Sequence, residues 1–137
     1  MFGSKAHKPH GRIDSLIGAG TAIEGNLTFT GGLRIDGSVR GDVVATGEQP
    51  ATLFISEQAR IEGQIRAAHV VINGTVVGSV RGTHYVELQS KARVSGDVHY
   101  RTLEIQLGAV VQGHLVHQEA STGQKVVALK QGQSQQD

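Results

Sequence analysis

Six glycines recur along this chain 15 to 22 residues apart, each two residues after one branched aliphatic side chain and two residues before another. The glycines are Gly25, Gly41, Gly63, Gly78, Gly96 and Gly113. Ile23, Val39, Ile61, Val76, Val94 and Val111 precede them; Leu27, Val43, Ile65, Val80, Val98 and Leu115 follow. An earlier column holds Ile17, Ile35, Ile55, Ile72, Leu88 and Ile105. Two residues before it stand Leu33, Leu53, Val70, Val86 and Leu103, with Ser15 in the first copy. Such an array is a repeat, and single motifs inside it carry little weight until the repeat is explained.

The glycines lie 16, 22, 15, 18 and 17 residues apart. Between the Ile column and the Gly column, two copies have a gap of six residues and four have a gap of eight. Within each apolar pair the period stays at 2, which marks short half-buried strands; the variable links mark corners. A unit of about 17 residues built this way is one coil of a parallel β-helix, and each column becomes a ladder of stacked side chains. One coil cannot bury its own apolar face, but a stack of six can, over roughly 29 Å at about 4.8 Å per coil. The expected fold is all-β, a parallel β-helix of about six coils over residues 15–117. The usual preference of parallel crossovers makes it right-handed.

The composition agrees. Of 137 residues, 19 are Gly, 2 are Pro and aromatics make up 4%, so Val, Ile, Leu and Ala must form the core. Gly never settles into a three-residue period, which excludes collagen. The absence of Cys excludes disulfides, thiolate metal sites and cysteine nucleophiles, and fits a reducing compartment. No run of about 18 apolar residues is present to span a membrane. The start, MFGSKAHKPHGR, lacks the apolar stretch of a secretory signal, and the expected location is the cytoplasm. Residues 1–14, basic and polar, and residues 118–137, rich in Gln, read as flexible tails. Pro50, in ATGEQPAT (45–52), marks the longest link as a surface loop.

Sharper chemical readings find little support. A phosphate-binding loop needs Gly-rich turns feeding a helix, yet no Gly-Lys-Ser/Thr occurs and Gly18-Ala19-Gly20 opens no helical pattern. Asp36, Asp42 and Asp97 beside glycines suggest calcium, but the dense nine-residue period of calcium-binding β-helix repeats is missing. His69, His84, His99 and His114 fall 15 residues apart. The coils average about 17–18, so the histidines drift across registers and are not expected to form one ladder. The rival reading is a left-handed β-helical acyltransferase or zinc enzyme assembled as a trimer. Its hexapeptide repeat would place an aliphatic residue every six positions, which gaps of both six and eight fit poorly.

The formal charge is +1 with both signs scattered. Arg34, Arg40, Arg60, Arg66, Arg81, Arg93 and Arg101 are mixed with Glu24, Asp42, Glu62, Glu87, Asp97 and Glu104. These are expected to pair between coils, each exposed pair contributing well under about 1 kcal/mol, rather than to bind nucleic acid. No catalytic residue, metal ligand, nucleotide or cofactor is assigned.

The ends of the stack are where function is expected. Each end of a β-helix exposes unpaired backbone groups and a cross-section of apolar core, which proteins either cap or use. Neither an amphipathic cap helix nor a polar terminal repeat is present in the pattern. The first coil offers Ile17, Ile23 and Leu27; the last offers Leu103, Ile105, Val111 and Leu115. Ends that join without closing make a filament.

With SLIGAGTAIEGNL, LRIDGSVRGDV, the later copies and the opening Met-Phe followed by lysines, the chain resembles the bactofilins, a family of bacterial cytoskeletal proteins. The resemblance covers residues 1 to about 117. It implies a right-handed triangular β-helix, flexible tails, and nucleotide-independent polymers joined through their ends without overall polarity. It also implies attachment to the inner face of the cytoplasmic membrane and recruitment of cell-wall enzymes in morphogenesis. Many members carry Phe in the last coil where this chain has Val111, a smaller side chain at the expected C-terminal junction.

At the N-terminus Met1 and Phe2 stand near Lys5 and Lys8. One inserted aromatic plus lysines, each worth about 1 kcal/mol near anionic lipid, gives weak attachment that a polymer multiplies. The expected partners are therefore further copies of the chain, anionic membrane lipid and cell-wall enzymes. A soluble β-helical adaptor that never polymerises is the remaining alternative.

Overall fold

The structure is a computed structural model and describes residues 12–119. Sixteen parallel strands form three ladders, and there is no helix among the described residues. The first face stacks β1 (Ser15–Ile17), β4 (Gly32–Ile35), β7 (Thr52–Ile55), the second half of β9 (Ile65–Ile72), the second half of β11 (Val80–Leu88) and β14 (Thr102–Ile105). The second stacks β2 (Ala22–Glu24), β5 (Ser38–Arg40), β8 (Arg60–Glu62), β10 (Thr75–Val77), β12 (Arg93–Ser95) and β15 (Val110–Gln112). The third stacks β3 (Leu27–Phe29), β6 (Val43–Ala45), the first halves of β9 and β11, β13 (Val98–Tyr100) and β16 (Leu115–His117). The chain is thus a parallel β-solenoid of six coils. Its strands β9 and β11 run through the third corner unbroken, β11 with a register shift between Gly82 and Tyr85.

The columns of the sequence are the ladders of the structure. Ile17, Ile35, Ile55, Ile72, Leu88 and Ile105 are register partners in succession. So are Ile23 to Val111 on the second face and Leu27 to Leu115 on the third. In the middle coils these side chains point inward and are fully buried, Val39, Val43, Ile61, Val76 and Val80 at 0% exposure. Period-2 alternation fixes this register, because a slip of one residue would turn every aliphatic side chain outward.

The two gap lengths, six and eight, have a structural reason. The long corners each close a tight turn, with Thr21, Ala59, Ala92 and Ala109 donating to the carbonyls of Gly18, Ser56, Gln89 and Gln106 at 2.9–3.2 Å. The short corners, Asp36-Gly37 and Asn73-Gly74, nest against them. A Cβ at Gly37 would run into the carbonyls of Gly18 and Thr21, and one at Gly74 into those of Ser56 and Ala59. Glycine stands there for close approach.

Asn and Asp residues that follow the glycines hold successive coils together. Asn26 Oδ1 accepts the Asp42 amide at 2.8 Å, Asp42 Oδ1 the Gln64 amide at 2.9 Å, and Asp97 Oδ1 the His114 amide at 2.9 Å. Before the first strand, Asp14 accepts the Gly32 amide at 2.8 Å. At Asp14 and Asp97 these bonds favour the ionised carboxylate. The Gly32 amide holds Asp14 below its ordinary value, the Arg34 side chain does so for Asp36, the Arg60 side chain for Glu62 and the His114 amide for Asp97. Folded values below the unfolded ones mean stability that is present above the unfolded pKa and lost as pH falls through the folded one. The thermal midpoint is therefore expected to fall as pH drops below about 4. Asp97→Asn keeps an acceptor oxygen but not the titration, so it should flatten part of that slope; an unchanged slope would show that Asp97 contributes nothing to it.

Candidate functional site: the open ends of the stack

Both ends of the solenoid are open among the described residues. β1, β2 and β3 pair only with the second coil, and β14, β15 and β16 only with the fifth. Each end therefore offers three free strand edges around a cross-section of core. Ile17, Ile23 and Leu27 are half-buried at one end, where their partners Ile35, Val39 and Val43 are fully buried. At the other end Leu103 and Val111 are half-buried, and Ile105 and Leu115 reach 46% and 45% exposure. Their partners Leu88 and Val98 are at 0%. One missing neighbour makes this difference. The seven end residues named from the sequence are thus brought together as two separate clusters, three on the first coil and four on the last.

The sequence pattern did not pick out all of the apolar surface at the ends. Leu107, at the tip of the last long corner, is 95% exposed. Leu16 and Val110 point outward from β1 and β15 and are exposed. These three lie off the inward columns, so the alternation that found the core passes over them. The signal available was a Leu at a corner tip where other long corners carry Glu57-Gln58 or Ser90-Lys91. Met1, Phe2, Lys5 and Lys8, the expected membrane-binding residues, lie outside the described residues.

The chemical candidates resolve into structure. Asp36, Asp42 and Asp97 are taken up by Arg34 or by backbone amides. His69 and His84 come together, ring centroids 5.5 Å apart, and burial followed by the neighbouring His84 lowers the pKa of His69. His114 lies on Asp97 at the glycine corner, and His99 sits on β13. Among the described residues no three His, Cys, Asp or Glu side chains are grouped to hold a metal.

The charge pairing differs in detail from the expected pattern. Arg40 does bridge coils, 3.5 Å from Glu24 and 3.8 Å from Glu62. The shorter pairs, Arg34–Asp36 at 2.8 Å and Arg60–Glu62 at 2.9 Å, lie within one coil, because i and i+2 share a face of a strand. Glu87 and Glu104 pair with no arginine. The Tyr85 hydroxyl lies 3.1 Å from Glu87 and 2.8 Å from Glu104, and Gln89 and Gln106 donate to Glu87 at 3.1 and 3.3 Å. Burial, then Glu104 and Glu87, push the Tyr85 hydroxyl pKa up. This network stitches the fifth coil to the sixth.

A β-solenoid whose two cross-sections are open and apolar among the described residues defines a class: structural repeat modules with free strand edges at their ends. Comparison with known proteins is consistent with that class. The family model described as "Bactofilin: Polymer-forming cytoskeletal" matches residues 15–116. The chain belongs to the bactofilin family. It is 26% identical over 102 residues to bactofilin BacP of Myxococcus xanthus (strain DK1622), a match covering 74% of this chain and 41% of that protein. It is 28% identical over 102 residues to bactofilin BacO of the same organism, covering 74% of this chain and 78% of that one. The chain thus spans less than half the length of the first relative. No solved structure matches.

Proposed function

We propose that this protein is a cytoskeletal scaffold that polymerises end to end, without nucleotide, into filaments on the inner face of the cytoplasmic membrane. The observation that carries this is the contrast between Ile105 and Leu115, near half exposed, and the same ladder positions one coil inward at 0%. Covering both ends buries those side chains and pairs the free edges at about 25 cal/mol per Å² of apolar surface. Purified protein without nucleotide or metal is expected to form filaments by negative-stain microscopy. Discrete trimers would sink the reading.

Attachment to lipid is assigned to Met1, Phe2, Lys5 and Lys8, a single aromatic with nearby lysines. One copy binds anionic lipid weakly, and a filament presents many. Deleting residues 2–8 is expected to leave filaments intact and to release most of them from liposomes. Undiminished flotation of the deletion variant would remove the tail from the account. Filaments held on the membrane in this way serve as a platform for cell-wall enzymes, as the family resemblance suggests.

A further inference from the structure

The faces of this molecule differ in how their cations are paired. The outward positions of the third face are Thr28, Val44, Arg66, Arg81, His99 and Val116, each the register partner of the next. Arg66 and Arg81 are therefore direct neighbours on adjacent coils, with His99 next in line. Two cations about 4.8 Å apart repel unless an anion lies between them. On the second face carboxylates fill that role, Arg40 standing between Glu24 and Glu62. On the third face, neither Arg66 nor Arg81 makes an ion pair among the described residues, and Arg81 donates instead to Gln118 Oε1 at 2.8 Å. Asp42 and Asp97, at the adjoining corner, accept backbone amides of Gln64 and His114. The first face carries Arg34, paired with Asp36, and two carboxylates, Glu87 and Glu104, satisfied by Tyr85 and glutamines.

We propose that the third face is the side of the polymer that lies on anionic lipid, with Arg66 and Arg81 at the headgroup phosphates and His99 beside them. This rests on the reading of the chain as a membrane-bound polymer, and it names the surface that the polymer turns to the membrane. Guanidinium groups match phosphate oxygens in a two-bond fork. The ridge runs along the stacking axis, so each subunit added in line extends it. A straight ridge on a sheet face suits a planar lipid surface; the phosphates of a duplex nucleic acid wind away from it. Val44 and Val116 continue the ridge on either side with small apolar contacts.

The test is flotation of full-length filaments with phosphatidylcholine vesicles, with and without phosphatidylglycerol. Wild-type filaments are expected to float with the anionic vesicles only, and less as salt rises. Arg66→Gln with Arg81→Gln is expected to weaken partitioning roughly thirtyfold per subunit, with filaments unchanged by microscopy. Arg60→Gln, which loses a cation already paired on the second face, is expected to float as wild type does. In the chain lacking residues 2–8 the double variant should remove what binding remains. If wild type floats and the double variant floats equally, the third face is not the contact. If wild type does not float at all, the membrane reading itself fails, and this inference with it. Should the double variant not form filaments, the salt dependence of wild-type flotation decides: binding insensitive to salt overturns the proposal. Retention of duplex DNA by wild type without vesicle binding assigns the ridge to nucleic acid and overturns it as well.

Discussion

Gly63→Ala is expected to cost a large share of the solenoid's stability, whereas Gly25→Ala costs little. Both glycines occupy the same column and both have positive φ, +154° and +129°. They differ in what lies above them. A Cβ at Gly63 would collide with the carbonyl of Gly41, itself fixed in the second-corner ladder, so neither backbone can give way without parting two coils. At Gly25 nothing lies within 4 Å, because the first coil has no neighbour on that side. The cost at Gly25 is then the backbone strain alone, about 1–2 kcal/mol. At Gly63 strain and collision together should exceed about 3 kcal/mol, a large share of the stability of one domain. Urea unfolding followed by circular dichroism separates the two, and equal loss in both variants would mean that φ rather than stacking sets the column. Gly25→Ala has a second use. If another subunit stacks on the first coil, the added methyl meets it, and a folded variant should form shorter filaments.

Placing a charge in the C-terminal cross-section is expected to cut the polymer at that junction. Val111 and Leu103 face inward on the last coil and are only half-covered there. Arg at either position stays hydrated in the free subunit and loses that hydration when a second coil closes over it. An unpaired buried charge costs several kcal/mol, which weakens the junction by roughly 100-fold or more. Val111→Arg and Leu103→Arg should therefore melt as folded solenoids but no longer sediment as long filaments. The size of the remaining species reports the junction symmetry. Where like ends join, as the family resemblance implies, Val111→Arg leaves dimers held through the first coils. Ile23→Arg, at the other end, leaves dimers held through the last coils, and the two together leave monomers. Head-to-tail joining gives monomers from either single change, since every junction then contains the altered end. Unchanged filaments in both single variants would move the interface away from the ends.

The sequence by itself determined the solenoid, its six coils and the register of the inward ladders. Each inward position repeats with period 2 around a glycine, and burial tolerates no other alignment. It also located Ile17, Ile23, Leu27, Leu103, Ile105, Val111 and Leu115, because an end residue is a column member with one neighbour missing. Only the tertiary structure decided what lies outside the columns. Arg66, Arg81 and His99 are 15 and 18 residues apart, and unequal corners erase any fixed period between them. Glu87 and Glu104 looked like partners for arginines until the strands set Tyr85 and two glutamines around them. Leu107 became an exposed knob through the turn that carries it. Inward side chains answer to one requirement, exclusion from water, which leaves a periodic trace. Outward side chains answer to whichever neighbours the corner lengths bring beside them, and that is settled only when the coils stack.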